Sequence, residues 1–350
     1  MRNRRIAVLT AGASILALAG CGSDGSGTDT PLGEQQLVYV NYGGEMTAAA
    51  DKAWLQPFSK ETGVSITQDA PVELAKIKAQ ADAGQVTWDV VTLDPAAGSG
   101  ACGTLFEKRD PDIDMSAYDP DLVTDDCMLP LYPQAVNLVY NKKIYGDNPP
   151  TKITDFMDTQ RFPGKRIAFN LASTTLPALL LATGVPADEM YPLDFSRAAK
   201  AIDDLGSDFA LHADLAAEVE KLTSGDFAMC LCFLGRVEQA VRSTDDIGIV
   251  WDGTVRIWTG LYAVKGSRSP QAQQELFRWF SDPERYAPFY DLMAYDTPFA
   301  DPGVPLPDKF APYLASAHQD EINESVVYDV KWMRENYDQV LLEWTEMTAG

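Results

Sequence analysis

The sequence predicts an α/β protein built from two lobes, and three observations support this class. Short apolar segments, such as residues 37–40 and 88–93, alternate with amphipathic segments of helical spacing. This alternation is typical of a largely parallel sheet covered by helices. The chain has 350 residues, enough for two domains of ordinary size. Its 46% hydrophobic and 23% charged residues are typical of a globular protein.

The first predicted lobe contains three strands and two helices, in the order strand 37–40, helix 45–60, strand 64–67, helix 72–83 and strand 88–93. Ligands of such sheets lie beyond the carboxyl ends of the strands. The turn that contains Tyr42, Gly43 and Gly44 follows the first strand, and Asp94 follows the third. We therefore expect Tyr42 and Asp94 on one binding rim.

The second half of the chain is predicted to contain strand 135–140, helix 153–158, helix 176–181, strand 227–233, strand 247–252 and strand 255–264. A polar loop that contains Thr174 precedes the apolar helix at 176–181. Its hydroxyl groups and the free N–H groups of the helix are suited to a ligand carboxylate or hydroxyl, although helix capping explains the hydroxyls equally well. The rest of the chain is expected to be mostly helical.

The first 21 residues have the pattern of a bacterial export signal. Three arginines precede an apolar segment at 6–19, which is too short to span a bilayer as a helix but fits a secretory signal. The sequence LAGC at 18–21 resembles the lipobox of bacterial lipoproteins, so residues 1–20 are predicted to be removed and Cys21 to carry the lipid anchor. An ordinary signal peptide that happens to contain a cysteine is the alternative.

The acidic composition narrows the range of partners. The net charge is −23, and removal of the three arginines makes it −26; binding nucleic acid would need clustered Lys and Arg. The charge also disfavours docking of the folded body on anionic lipid.

Residues 21–36 are predicted to be a flexible tether. We expect a monomer at the outer face of the cytoplasmic membrane or in the periplasm, anchored only through its N-terminal lipid.

Four more cysteines follow Cys21. Cys102 and Cys127 bracket an irregular stretch rich in Asp and Pro, and an oxidising compartment favours a disulfide between them. Cys230 and Cys232 alternate within an apolar strand, so their side chains point to the same face. Because such a pair is poorly placed for a disulfide on a flat strand, we expect two buried thiols. No metal site is expected there, since neither histidine is near in sequence.

Six short motifs are spread along the chain: FSKETG at 58–63, VYN at 139–141, FPGK at 162–165, LTSGD at 222–226, WDG at 251–253 and WMREN at 332–336. Together they resemble the motifs of the solute-binding proteins of ABC importers, in particular the polyamine-binding-protein-like branch. The resemblance implies a type II periplasmic-binding-protein fold, in which two α/β lobes close around a ligand cleft. It also implies an ABC permease as partner and no cofactor.

The implied lobes comprise residues 37–138 with 256–295, and residues 139–255 with 296–350. The chain would cross between them near 138–142 and 252–258, with the C-terminal helices packed mainly on the second lobe. Polyamine binders of this family enclose the ligand with aromatic side chains and pair its amines with carboxylates. The resemblance therefore implies a polyamine or related amine as solute, with candidate contacts at Tyr42, Asp94, Thr174, Arg236, Trp251, Asp252, Trp258 and Tyr295.

One departure from the polyamine pattern leaves the solute open. The pattern has an acid two residues after Trp258, where this chain has Gly260. Arg236, if it faces the cleft, would repel a diamine but bind a carboxylate or phosphonate. An amine that carries such a group, as amino acids and opines do, is the alternative solute. An anchored extracytoplasmic hydrolase is the alternative from another class, but no nucleophile motif or metal motif supports it, and we expect no enzymatic activity.

Overall fold

The computed structural model describes residues 30–212, 214–301, 303 and 305–349. The predicted signal segment and Cys21 lie outside the described residues. Nine strands are found within these ranges: β1 Gln36–Val40, β2 Ser65–Asp69, β3 Val90–Leu93, β4 Leu129–Asn141, β5 Arg166–Phe169, β6 Phe209–His212, β7 Met229–Phe233, β8 Ile247–Ala263 and β9 Glu324–Val327.

The α-helices lie between and after these strands: α1 Glu45–Ala50, α2 Gln56–Thr62, α3 Leu74–Asp82, α4 Pro95–Gly100, α5 Lys142–Tyr145, α6 Ala172–Ala182, α7 Phe195–Leu205, α8 Leu215–Ser224, α9 Leu234–Val241, α10 Pro270–Phe280, α11 Ala287–Tyr290, α12 Val330–Glu335 and α13 Tyr337–Thr348. A π-helical turn, Asp51–Leu55, joins α1 to α2. Short 3₁₀ segments cover Leu32–Glu34, Pro120–Leu122, Ile153–Met157, Ala187–Glu189, Gly206–Asp208, Pro283–Tyr286, Asp308–Tyr313 and Ala315–Ala317.

All nine strands belong to one mixed sheet of order β2-β1-β3-β8-β4-β7-β5-β6, with β9 paired to β8. The group β2-β1-β3 is parallel, as is the group β7-β5-β6. The long antiparallel strands β4 and β8 lie between the two groups and are paired along most of their length. These two strands therefore connect the two halves of the sheet, as the crossing strands of a two-lobed α/β protein do.

The predicted strands at 247–252 and 255–264 form the single strand β8, which is interrupted by a bulge. Asn137 pairs with Thr254 whereas the next residue, Leu138, pairs with Val250, so residues 251–253 have no partner on β4. The side-chain amide of Asn137 fills the gap by donating to the carbonyl of Val250 at 3.0 Å and to the hydroxyl of Thr254 at 2.8 Å. The bulge thus changes the direction of the residues it contains.

An aromatic cluster fills the core of the first half of the sheet. The ring of Trp54 stacks on Phe289 at 4.1 Å and meets Phe280 edge-on at 5.2 Å. In the second half, α6 is buried along its whole length. The C-terminal helices contact both halves, since α12 packs on α4 whereas α13 packs on α6 and α7.

Two predictions need correction. The tether was predicted to reach residue 36, but a 3₁₀ turn forms at Leu32–Glu34 and the buried Gln35 accepts a hydrogen bond from the N–H of Ala272 at 3.0 Å. The structure also joins Cys230 to Cys232 by a disulfide, where two free thiols were expected. The strand is contracted there, because the two Cα atoms are 5.3 Å apart instead of the roughly 6.6 Å of an extended strand. Cys102 and Cys127 are joined by a disulfide as well.

Candidate ligand-binding site

A small cavity lies where the carboxyl ends of strands from both halves meet the crossing strands. We call it the cleft cavity. It is lined by Tyr42, Asp94, Gln134, Phe169, Leu171, Leu215, Phe233, Ile257, Trp258 and Thr259. The cavity encloses about 30 Å³, room for roughly two water molecules. An organic solute needs more space than this cavity alone offers, and an adjoining pocket of about 330 Å³ shares Gln134, Ile257 and Trp258 with it.

Asp94 brings a buried carboxylate to this cavity. It directly follows β3 and caps α4, accepting the N–H of Ala96 at 2.8 Å and that of Ala97 at 3.3 Å. The hydroxyl of Tyr328 donates to both carboxylate oxygens, at 2.8 and 3.0 Å. Burial raises the pKa of the Asp94 carboxyl, and hydrogen bonds from Tyr328 and the two N–H groups oppose the shift.

Arg236 contributes a positive charge to the same cleft. It is the third residue of α9, and it is only 4% exposed. In the described part of the chain it takes part in no ion pair, and its side chain donates one long hydrogen bond, to Gln239 Oε1 at 3.4 Å. Its Nη1 atom lies 3.5 Å from the point that a Cβ atom on Gly44 would occupy. Arg236 therefore reaches across the cleft to the turn after β1.

Two tyrosines lie near the Arg236 guanidinium. Burial raises the pKa values of Tyr132 and Tyr295, and the positive charge of Arg236 opposes both shifts. The ring of Tyr295 packs directly on Gly235, since a Cβ atom there would come within 2.9 Å of it. Tyr295 thus supports the start of α9 from behind and is not among the residues that line the cleft cavity.

Aromatic rings form the walls between these charged groups. Phe169 and Phe233 are the last residues of β5 and β7, and their rings meet edge-on at 6.0 Å. Trp258 lies on the crossing strand β8 and contacts Tyr328 edge-on at 6.2 Å. The indole N–H of Trp258 is buried and has no hydrogen-bond partner among the described residues.

The structure brings Tyr42, Asp94 and Trp258 together at the cavity and places Arg236 against the Gly44 turn, but it places other predicted contacts elsewhere. Trp251 and Asp252 lie in the β8 bulge, which turns them away. Trp251 stacks on His318 at 4.0 Å, and Asp252 accepts a hydrogen bond from Asn323 at 2.9 Å. Thr174 lies inside α6, where its hydroxyl donates to the carbonyl of Leu171; no side chain in the described part of the chain caps the start of this helix, so the capping role is not found either.

Several lining residues were not predicted from the sequence. Phe169 and Phe233 are strand-terminal aromatics, so the rule that ligands lie beyond carboxyl ends could have identified them. Gln134 and Thr259 are two of several polar residues in the crossing strands, so their polarity is a weaker signal. No sequence signal points to Tyr328, because it follows β9, a strand of four residues that the sequence did not predict.

Gly260 occupies a position with no space for a side chain. A Cβ atom there would lie 2.5 Å from Met128 Cγ and 2.8 Å from the ring of Tyr262, well inside contact distance. The acid that the polyamine pattern places at this position is therefore incompatible with the local packing. Asp94 is the one acidic residue among those that line the cleft cavity.

Comparison with known proteins agrees with this architecture. A profile of the bacterial extracellular solute-binding protein family matches residues 53–316, and the chain belongs to that family. A gamma-aminobutyric acid-binding protein of Pseudomonas aeruginosa is 28% identical over 270 residues, which cover 75% of this chain and 76% of that protein. In the described part of the chain, no helix is both long and apolar enough to cross a membrane.

Solved structures show the same fold. The periplasmic binding protein AgtB of A. tumefaciens R10, in complex with agropinic acid, matches with a TM-score of 0.78 and 26% identity, over 91% of this chain and 99% of that one. The Atu4243-GABA receptor matches with a TM-score of 0.76 and 26% identity, over 89% of this chain and 97% of that one. The two-lobed binding-protein fold expected from the motifs is confirmed.

Proposed function

We propose that this protein captures an amine-bearing carboxylate outside the cytoplasm. The observation that carries the proposal is the buried Arg236, whose guanidinium has no carboxylate partner among the described residues. A buried charge without a partner is unfavourable. A ligand carboxylate would supply the missing charge through a pair of hydrogen bonds, a geometry that suits arginine.

The other end of the solute is expected to be an ammonium group. The Asp94 carboxylate lines the cleft cavity and is withdrawn from water, so a ligand cation would relieve the burial of its charge. Tyr42, Trp258 and the two phenylalanines provide aromatic faces that attract an alkylammonium group. A zwitterion would provide a negative charge for Arg236 and a positive charge for Asp94.

A polyamine fits this site less well than a zwitterion. A diamine needs an acid at each end, yet Asp94 is the one acid of the cavity lining and position 260 has no room for another. Arg236 would also repel a second ammonium group. The proposal therefore replaces the polyamine expectation with the alternative solute that the sequence left open.

The relatives support the same chemical class. One curated relative is named for gamma-aminobutyric acid, a solved structure is titled a GABA receptor, and another holds agropinic acid. The first two names denote an amino acid and the third denotes an acid. By extension from the family, we propose delivery of the solute to an ABC permease, anchoring through lipidated Cys21, action as a monomer and no enzymatic activity.

A matched set of four-carbon ligands tests the proposal. Isothermal calorimetry and thermal unfolding of the purified mature protein would compare 4-aminobutyrate, 1,4-diaminobutane and butyrate, with α-amino acids and an opine as further zwitterions. Ligand at 100 times its Kd adds about 2.7 kcal/mol of stability, which raises the Tm by about 5 °C at this size. We expect a zwitterion to produce this shift. Binding of the diamine with no binding of any zwitterion would contradict the proposal.

A further inference from the structure

A buried histidine–glutamate pair lies behind the aromatic walls of the cleft cavity. His212 is 3% exposed and Glu218 is 0% exposed. The imidazole Nε2 of His212 and the Glu218 Oε2 atom are 2.8 Å apart. Neither side chain is among those that line the cavity, so the pair has no direct part in ligand contact.

The pair is connected to the walls by specific contacts. The second Glu218 oxygen accepts the backbone N–H of Phe233 at 3.1 Å. The His212 ring stacks on Phe169, with centroids 5.6 Å apart and an interplanar angle of 26°. Since Phe169 and Phe233 also touch each other, the four residues form a closed ring of contacts.

The same contacts reach the start of the helix that carries Arg236. Phe233 is the residue before α9, which begins at Leu234, and its own side chain makes no capping hydrogen bond. The Glu218 carboxylate holds the peptide N–H at this point. A shift of Phe233 would therefore move both an aromatic wall and the third residue of α9, Arg236.

We propose that His212 and Glu218 are positioning residues for the solute, which fix the two phenylalanine walls and the base of α9. A buried hydrogen-bonded pair of this kind adds little net stability compared with apolar residues of the same volume. It does define one geometry, because each Glu218 oxygen and the imidazole Nε2 have a single partner to keep, whereas the buried Nδ1 of His212 has no hydrogen-bond partner among the described residues. This inference depends on the proposed function in one respect, because it takes the cleft cavity as the site where the solute binds.

Three variants separate positioning from simple stabilisation. Glu218→Ala removes both hydrogen bonds, and His212→Phe keeps a ring against Phe169 but removes the bond to Glu218. Glu218→Gln keeps an acceptor for the Phe233 N–H, and its amide can donate to Nε2 of the other imidazole tautomer. The Nδ1–H of that tautomer has no acceptor among the described residues, so this variant can lose stability while it keeps the geometry. Asp89→Ala is the matched control, because Asp89 is a buried carboxylate that accepts the Val38 N–H at 2.7 Å and the Ser267 hydroxyl at 2.6 Å.

Two measurements on the same proteins test the proposal. We expect Glu218→Ala and His212→Phe to raise the Kd for the best-binding zwitterion by about tenfold, with Glu218→Gln close to the wild type. The control is expected to lower the Tm with little change in Kd. A lower Tm in the Glu218 and His212 variants with an unchanged Kd would show that the pair is merely structural and overturn the proposal.

Amide hydrogen exchange in the absence of ligand gives an independent readout. If the pair positions the site, the Phe233 amide and the first turn of α9 lose protection in Glu218→Ala and retain it in Glu218→Gln and in the Asp89 control. Unchanged protection in Glu218→Ala would overturn the proposal. If the wild type binds no zwitterion, the proposed function fails, and the exchange data still decide whether Glu218 holds this segment.

Discussion

Two buried arginines in this protein have opposite surroundings. Arg166 is 0% exposed, and its guanidinium donates to backbone carbonyls, including those of Phe156 at 3.1 Å and Gly164 at 2.5 Å. Arg236 has one long hydrogen bond and no ion pair among the described residues. The fold supplies hydrogen-bond partners for the first arginine, whereas the second is the residue that we propose as the partner of the ligand carboxylate.

This contrast predicts opposite effects of the same substitution. Arg236→Met should leave the free energy of unfolding unchanged or increase it, and weaken binding of a zwitterion about 100-fold, because a charge-assisted hydrogen-bonded pair is lost. Arg166→Met should lower the free energy of unfolding by about 3 kcal/mol with little effect on Kd. Urea unfolding and calorimetry measure both. Full zwitterion affinity in Arg236→Met would contradict the assignment of this arginine.

The raised pKa of Asp94 predicts a pH dependence. Burial holds the folded-state pKa of this carboxyl above its ordinary value of 3.8, so the folded state binds more protons than the unfolded state in that interval. Ionisation of Asp94 therefore reduces stability as the pH rises from the ordinary pKa through the raised one. An ammonium ligand favours the ionised carboxylate and reverses this penalty.

We therefore expect zwitterion affinity in the wild type to increase as the pH rises from about 4, the ordinary pKa of an aspartate, through the raised pKa of Asp94, and to be weaker and flat in Asp94→Asn. In the unliganded state, Asp94→Asn should gain stability over the wild type as the pH rises. Asp89→Asn is the control, since burial raises the pKa of Asp89 too but it lies at the other end of β3. A flat wild-type affinity profile would count against Asp94 as the amine partner.

At the scale of the elements, strand ends and helix starts were readable from the sequence. The turn after β1 and the position of Asp94 after β3 follow from the alternation of apolar strands and Gly- or Pro-marked turns, and both lie at the cleft cavity. The continuity of β8 could not be predicted from the sequence, because a bulge depends on pairing with β4, in particular on the Asn137 amide. Trp251 lies within this bulge and stacks on His318, whereas Trp258, beyond the bulge, lines the cavity.

The disulfide between Cys102 and Cys127 stabilises an element with little regular structure. It closes a loop with a sequence separation of 25 residues, for which loss of unfolded-state entropy predicts about 3 kcal/mol of stabilisation. The double variant Cys102→Ser with Cys127→Ser should lower the Tm by about 5 °C, with a Kd near that of the wild type because neither residue lines the cavity. Calorimetric unfolding tests this, and an unchanged Tm would show that the loop is held by its other contacts.

At the scale of the whole molecule, the motifs predicted the two-lobed fold but not the solute. The fold follows from patterns spread along the chain, each of which needs only local residues. The solute depends on which side chains face each other across the cleft, and the position of Arg236 against the Gly44 turn is a property of the closed arrangement. The glycine at position 260, where the polyamine pattern has an acid, was a partial indication in the sequence that the solute is not a polyamine. The crowded surroundings of Gly260 give the physical reason why no acid fits there.

One ion pair joins the two halves of the molecule at the rim of the cleft. Arg242, which follows α9, forms an ion pair at 2.9 Å with Glu45, the first residue of α1. Arg242 also donates hydrogen bonds to Glu238 of α9. The Glu45–Arg242 pair joins the helix after β1 to the helix after β7, so it exists only while the two halves of the molecule are close together. Its side chains are 53% and 41% exposed, so its contribution is modest and sensitive to salt.

This contact predicts a kinetic effect. Glu45→Gln should increase the dissociation rate constant of the bound zwitterion about threefold at low ionic strength, because opening no longer breaks an ion pair. The difference from the wild type should vanish at about 1 M salt, where charges are screened within about 3 Å. Glu275→Gln is the matched control, since Glu275 pairs with Arg278 at 2.9 Å within α10 and spans no cleft. Stopped-flow measurement of ligand release decides the matter, and equal rates for Glu45→Gln and the control at low salt would show that the rim pair does not retard opening.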